Sequence, residues 1–150
     1  MQNITIIIGL PGSGKTTYIN NNSEEFKNAV ICDDYHKSSY NRSRKFEDSV
    51  YYQDLKEALK NGKDAVMCDI AWCKIERREI LKQNIQNILE EVGIDAEITF
   101  ICFKNDPESC KKNVLKRNRE GRVEREMEFI DEVSVHYVIP ENAVIIPVGF

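Results

Sequence analysis

The sequence predicts an α/β protein built on five parallel strands with helices on both faces. Two observations carry this: short apolar, β-branched runs recur along the chain, and between them apolar residues return at the three-to-four-residue spacing of amphipathic helices. A third is that several of the runs are almost continuously apolar, as in strands covered on both faces, and do not alternate with polar residues.

The first strand is expected from Ile4 to Gly9, followed by a helical stretch beginning at Lys15. A second strand runs from Asn28 to Cys32. Tyr51, Leu55, Ala58 and Leu59 then form one face of a helix closed by Gly62. The third strand, Ala65 to Asp69, leads to a helix whose apolar face is Leu81, Ile85, Ile88, Leu89 and Val92, closed by Gly93. After a fourth strand, Ala96 to Phe103, Asp106 reads as an N-cap, Pro107 as the first helical residue and Glu108 as a charge favourable to the helix dipole. Val123, Met127, Ile130, Val133 and Tyr137 mark a further helix, with His136 a structural residue on it, and Ala143 to Val148 the fifth strand.

Length and composition narrow the functional classes. At 150 residues, 41% of them apolar and 31% charged, without repeats or a flexible linker, residues 1–150 are expected to form one domain. The 21 Lys and Arg against 25 Asp and Glu leave a net charge of -4, which argues against wholesale coating of nucleic acid and leaves room for a local basic patch. No apolar run is long enough to span a bilayer and no signal-peptide core follows Met1, so a cytoplasmic protein is expected. Cys32, Cys68, Cys73, Cys102 and Cys110 are odd in number, lack a C-x-x-C pair and read as small core residues in a reducing compartment.

Gly9-Leu10-Pro11-Gly12-Ser13-Gly14-Lys15-Thr16, followed by Thr17, fits the pattern G-x-x-x-x-G-K-[ST] between a strand and a helix. Glycines at these positions let successive backbone N–H groups converge on an anion. The following helix adds its positive end, Lys15 reaches the β and γ phosphates, and the Thr16 hydroxyl is suited to Mg²⁺. On this motif the chain resembles the P-loop nucleoside triphosphate-binding superfamily over its length, which implies ATP and Mg²⁺ as cofactors. Asp69, at the end of the third strand, resembles the Walker B carboxylate that holds the metal with Thr16. The absence of a Glu after Asp69 speaks against a water-polarising motor ATPase, and no N-K-x-D guanine-reading motif is present.

The second strand ends in Asp33-Asp34-Tyr35-His36, at the carboxyl end of the sheet where open α/β folds bind ligands. A carboxylate there is placed to accept the proton of an attacking hydroxyl, although loops also collect Asp for turn geometry. Gly9 to Thr17, Asp33-Asp34-Tyr35, Asp69 with Glu76-Arg77-Arg78, and Lys116-Arg117-Asn118 together resemble the 5′-kinase domains of phage-type polynucleotide kinases. Zeta-toxin-like, sugar and nucleoside kinases share parts of the pattern. The resemblance implies a three-layer fold with strand order 2-3-1-4-5. It also implies Asp33 as general base, Asp34 as its structural or metal-side neighbour, and Tyr35, His36 and Arg77 on the acceptor side. Two departures bear on the acceptor: His36 stands where that pattern has an Arg, and the segment between Asp69 and Glu76 is one residue longer.

Seven basic residues lie between Lys111 and Arg125, interrupted at Gly121, and resemble the lid of small P-loop kinases, here about residues 117–124. Arg117 is the expected nucleotide contact, with Arg119 and Arg122 neutralising the transferring phosphoryl group. The alternative is a solvated basic face paired with Glu120, Glu124, Glu126 and Glu128. Between His36 and Tyr52, basic and aromatic residues fit either an acceptor cap or a helix packed on the core, and Trp72 fits cleft or core alike. The expected activity is ATP-dependent transfer of a phosphoryl group to a hydroxyl, foremost the 5′-hydroxyl of DNA or RNA. A small-molecule acceptor (nucleoside, nucleotide or sugar) and a non-catalytic ATP-binding regulator are the alternatives.

Overall fold

β1 (Gln2–Ile8) lies at the centre of a five-stranded sheet because it is the strand with most to bury: Ile4, Ile6, Ile7 and Ile8 are wholly inaccessible to solvent. The structure is a computed structural model that describes residues 1–32, 50–68 and 70–149. β3 (Asp64–Cys68) and β4 (Ala96–Phe103) flank β1, with β2 (Ala29–Cys32) and β5 (Val144–Ile146) at the edges. The order is β2-β3-β1-β4-β5 and every pairing is parallel, as expected for this kinase-like arrangement. Ile4 sits opposite Ala65 on one side and Ile98 on the other, and that register brings the carboxyl ends of β1, β3 and β4 to one edge.

Alternation along β1 divides the core. Ile4, Ile6 and Ile8 face a large cluster that takes in Leu55 and Leu59 of α2 (Val50–Lys60), Leu81 and Ile85 of α3 (Ile75–Val92), Val114 of α4 (Pro107–Arg117) and Ile130 of α5 (Val123–Ser134). Ile7 faces a smaller cluster with Phe26, Val66, Ile101 and Phe103, against which Tyr18 and Ile19 of α1 (Lys15–Asn21) pack. Truncating any of these inaccessible isoleucines to alanine removes about 2–5 kcal/mol of stability, a large share of what holds a domain this size together.

Local signals act where they were expected. Asp106 caps α4 by accepting from the Ser109 amide at 3.2 Å, and bonding from Ser109 holds its carboxyl below the usual range. Gly93 ends α3 in the left-handed conformation. All five cysteines are free thiols, four of them buried. Trp72, in a 3-10 turn over Ile70–Cys73, is buried in the core and so takes the packing role. No described helix is long and apolar enough to cross a membrane.

Three expectations need correction. The fifth strand is only three residues long, since it pairs with the last three residues of β4 and Pro147 lacks the N–H to extend the ladder. The last helix ends at Ser134, which leaves His136 in an exposed turn and Tyr137 buried beyond the helix. Its buried stripe is Glu126, Ile130 and Val133, with Val123 and Met127 only half-buried; the stripe turns toward Glu126 because that carboxylate has a partner on α4.

Candidate functional site

The phosphate loop follows directly from the geometry of β1. The strand ends at Ile8, and Gly12 (φ 81°) and Gly14 (φ 103°) turn the chain through conformations that side-chain-bearing residues seldom adopt. Close approach adds a second reason for glycine. A Cβ on Gly12 would stand 2.4 Å from the Cys110 carbonyl oxygen, and one on Gly14 would stand 2.5 Å from that of Gly149. At Gly9 a Cβ would meet the Ser13 hydroxyl.

Within the loop the Lys15 ammonium donates to the carbonyl oxygens of Gly9 at 2.7 Å and Leu10 at 3.0 Å. Pro11 is buried, as is Ser13, whose hydroxyl oxygen has no partner among the described residues. Thr16 is exposed and Thr17 half-buried. A cradle with no room for side chains, an inward-folded ammonium and an unsatisfied buried hydroxyl fits a phosphate group, whose oxygens would satisfy both donors.

α4 supports this loop from the side. Asn113 donates from its side-chain amide to the Gly12 carbonyl at 2.9 Å, while Cys110 and Val114 crowd the same glycine. The segment after β5 supports it from above, the Gly149 amide donating to the Ser13 carbonyl at 3.3 Å. Beneath it, the Tyr137 hydroxyl donates to the Phe103 carbonyl at 2.5 Å and reaches that of Ile8 at 3.5 Å, tying the ends of β4 and β1 together. Burial pushes the Tyr137 phenol well above its ordinary value and the Cys102 and Cys110 thiols up to about 11, so all three are neutral at physiological pH.

Beyond α4, the loop Asn118–Arg122 carries Arg119 and Arg122, both exposed, and borders an open concavity of about 650 Å³. Arg117, the last residue of α4, is turned toward α5, where its Nη2 pairs with Glu126 Oε2. Arg77 is exposed on the first turn of α3. Its neighbour Arg78 is buried, donating from Nη2 to the Val138 carbonyl at 2.6 Å. Asp33, Asp34, Tyr35, His36 and Asp69 lie outside the described residues. Among the described residues no cluster of His, Cys, Asp and Glu could hold a metal ion.

Arg78, Asn113, Glu126, Tyr137 and Gly149 were not singled out in the sequence for these roles. Two of them left a readable signal: Arg78 lies three residues before Leu81 and Glu126 four before Ile130, so both are charges on an apolar stripe. Gly149 left none, since its role depends on where the chain passes after β5.

Residues 4–134 match the AAA domain family. A protein of Acanthamoeba polyphaga mimivirus, described only as uncharacterized, is 30% identical over 140 residues, covering 92% of this chain and 88% of its own. Among solved structures, a fungal RNA kinase aligns with a TM-score of 0.61 at 18% identity, over 97% of this chain and 73% of that one. A gluconokinase from Sinorhizobium meliloti aligns with a TM-score of 0.56 at 13% identity, over 99% and 83%. These likenesses establish the fold as that of P-loop kinases.

Proposed function

Because the chain belongs to the AAA domain family, we propose that it is an ATP-dependent phosphotransferase that moves the γ-phosphoryl group to a hydroxyl, foremost the 5′-hydroxyl of DNA or RNA. The observation that carries this reading is the phosphate loop: the Lys15 ammonium folded onto the Gly9 and Leu10 carbonyls beside an unsatisfied Ser13 hydroxyl. Loop amides and Lys15 hold the β and γ phosphates and stabilise charge on the transferred group. Thr16 with Asp69 would hold Mg²⁺, which would supply neutralisation of phosphate charge. Asp33 orients the acceptor hydroxyl and takes its proton, with Asp34, Tyr35, His36 and Arg77 on the acceptor side. Arg117, Arg119 and Arg122 complete the charge balance from the lid.

The nucleic-acid acceptor is supported by the motif pattern around Asp33 and by the shared fold with an RNA kinase. The acidic net charge and the gluconokinase likeness favour the second reading, a small hydroxyl acceptor. Incubation with γ-labelled ATP and Mg²⁺ against 5′-hydroxyl oligonucleotides, nucleosides, nucleotides and sugars distinguishes them, with Lys15→Ala as control. Label on an oligonucleotide 5′ end is the expected result. Label on a small molecule alone moves the chain to the metabolite kinases, and slow ATP hydrolysis unaffected by any acceptor leaves an ATP-binding regulator. Asp33→Asn should abolish transfer while ATP still binds; full activity in that variant removes Asp33 as the base.

A further inference from the structure

Arg117 and Glu126 lie nine residues apart on different helices, yet they form an ion pair with side chains only 20% and 11% exposed. A carboxylate this buried is uncommon, and here it faces a single guanidinium across the turn that carries Arg119 and Arg122. The pair engages only Nη2 of Arg117. Its Nε is buried and has no partner among the described residues. A guanidinium offers five donors in a rigid plane, so a carboxylate on one edge fixes the orientation of the rest without consuming them.

The position of Arg117 along α4 gives that orientation a direction. Cys110, Asn113 and Val114 all touch Gly12 of the phosphate loop. Arg117 stands seven residues after Cys110, within about 20° of the same helix face, and about 4.5 Å beyond Val114 along the axis. It is therefore the next residue on the stripe that supports the loop, on the lid side of it. Were Arg117 to leave Glu126, a nearly inaccessible carboxylate would be left without its counter-charge, an arrangement proteins avoid strongly.

We propose that Glu126 is a positioning residue: it holds the Arg117 guanidinium beside the phosphate loop with its remaining donors directed to the terminal phosphate of a bound triphosphate. This inference rests on the proposed nucleotide-binding role of the loop. A donor set fixed before the ligand arrives binds an anion more tightly than one that must be ordered on binding.

The test is calorimetric titration of the full chain with ATP and with ADP in the presence of Mg²⁺, for wild type, Arg117→Ala, Glu126→Gln, Glu126→Ala and the Arg117→Ala/Glu126→Ala double variant, with melting temperatures measured alongside. ATP affinity is expected to fall about tenfold in Glu126→Ala, and ADP affinity by less, because the lost contact is to the terminal phosphate. Glu126→Gln, which keeps an acceptor oxygen, should recover most of the loss. The double variant should bind no more weakly than Arg117→Ala alone, since both changes remove one interaction. Equal losses for ATP and ADP would show that Glu126 only stabilises the fold, and additive losses would show that it acts apart from Arg117. Tighter ATP binding in Glu126→Ala would mean that Glu126 withholds Arg117 from the nucleotide. Each of these overturns the proposal, as does unaltered binding. Failure of the wild type itself to bind ATP overturns the nucleotide reading and this inference together.

Discussion

Asn113 of α4 donates a hydrogen bond from its side-chain amide to the carbonyl oxygen of Gly12, 2.9 Å away and 101 residues earlier in the chain. The peptide at Gly12 is thus clamped by a helix that begins only after the fourth strand. Asn113→Ala should leave the fold intact and cost on the order of 1 kcal/mol of nucleotide binding, about fivefold in affinity, by letting that peptide rotate. Titration with ATP measures it; unchanged affinity would mean that the loop holds its shape without α4.

Gly14 and Gly62 offer a paired comparison. Both have positive φ, 103° and 71°, but a Cβ on Gly14 would stand 2.5 Å from the Gly149 carbonyl oxygen, whereas one on Gly62 meets nothing within 4 Å. Gly14→Ala is expected to abolish nucleotide binding, since either the loop or the segment after β5 must move. Gly62→Ala should lose about 1 kcal/mol of stability from backbone strain alone and bind ATP normally. Equal effects in the two variants would show that backbone conformation, not the approach of Gly149, sets the requirement for glycine.

The buried thiols predict an alkaline limit to stability. Cys102 and Cys110 are pushed up to about 11 by burial, partly offset by Arg78 for the first and Lys15 for the second. Above the ordinary thiol value of about 8.5 the unfolded chain releases protons that the folded chain retains, so unfolding becomes easier as pH rises toward 11. The slope is at most about 1.4 kcal/mol per pH unit for each thiol. Urea midpoints should be level from pH 7 to 8 and fall by pH 10, and the fall should be shallower in Cys102→Ala and Cys110→Ala. Equal midpoints at pH 7.5 and 10 would show that these thiols titrate as if exposed.

Salt separates the two acceptor classes. If the acceptor is an oligonucleotide, its apparent affinity should fall steeply between about 50 and 200 mM salt as counterions are released, whereas that of a neutral nucleoside or sugar should barely change. Initial rates at subsaturating acceptor across that range give the slope. A flat profile with an active oligonucleotide would place recognition on the terminal hydroxyl and base, with few phosphate contacts.

Much of this architecture was legible in the chain. The phosphate loop announces itself through Gly9, Gly12, Gly14, Lys15 and Thr16, because its chemistry is local: consecutive amides, one lysine and a helix start. The α4 cap at Asp106 and the α3 stop at Gly93 were readable for the same reason. The last helix stops short of its apolar period, because Tyr137 keeps the spacing but is buried by the strand ends it bonds, not by a helical turn.

What the sequence by itself determined is therefore the set of elements, the parallel sheet and the place of the phosphate loop, each written in the spacing of neighbouring residues. Its strand order came with the resemblance to P-loop kinases. Only the tertiary structure decided what holds the loop. Asn113 on Gly12, Gly149 over Gly14, Tyr137 beneath Phe103 and the Arg117–Glu126 pair all join residues through the packing of separate helices and strand ends. Local pattern carries no record of such contacts, since a buried hydrogen bond or ion pair depends on which partner the fold brings within about 3 Å and how far water is excluded around it.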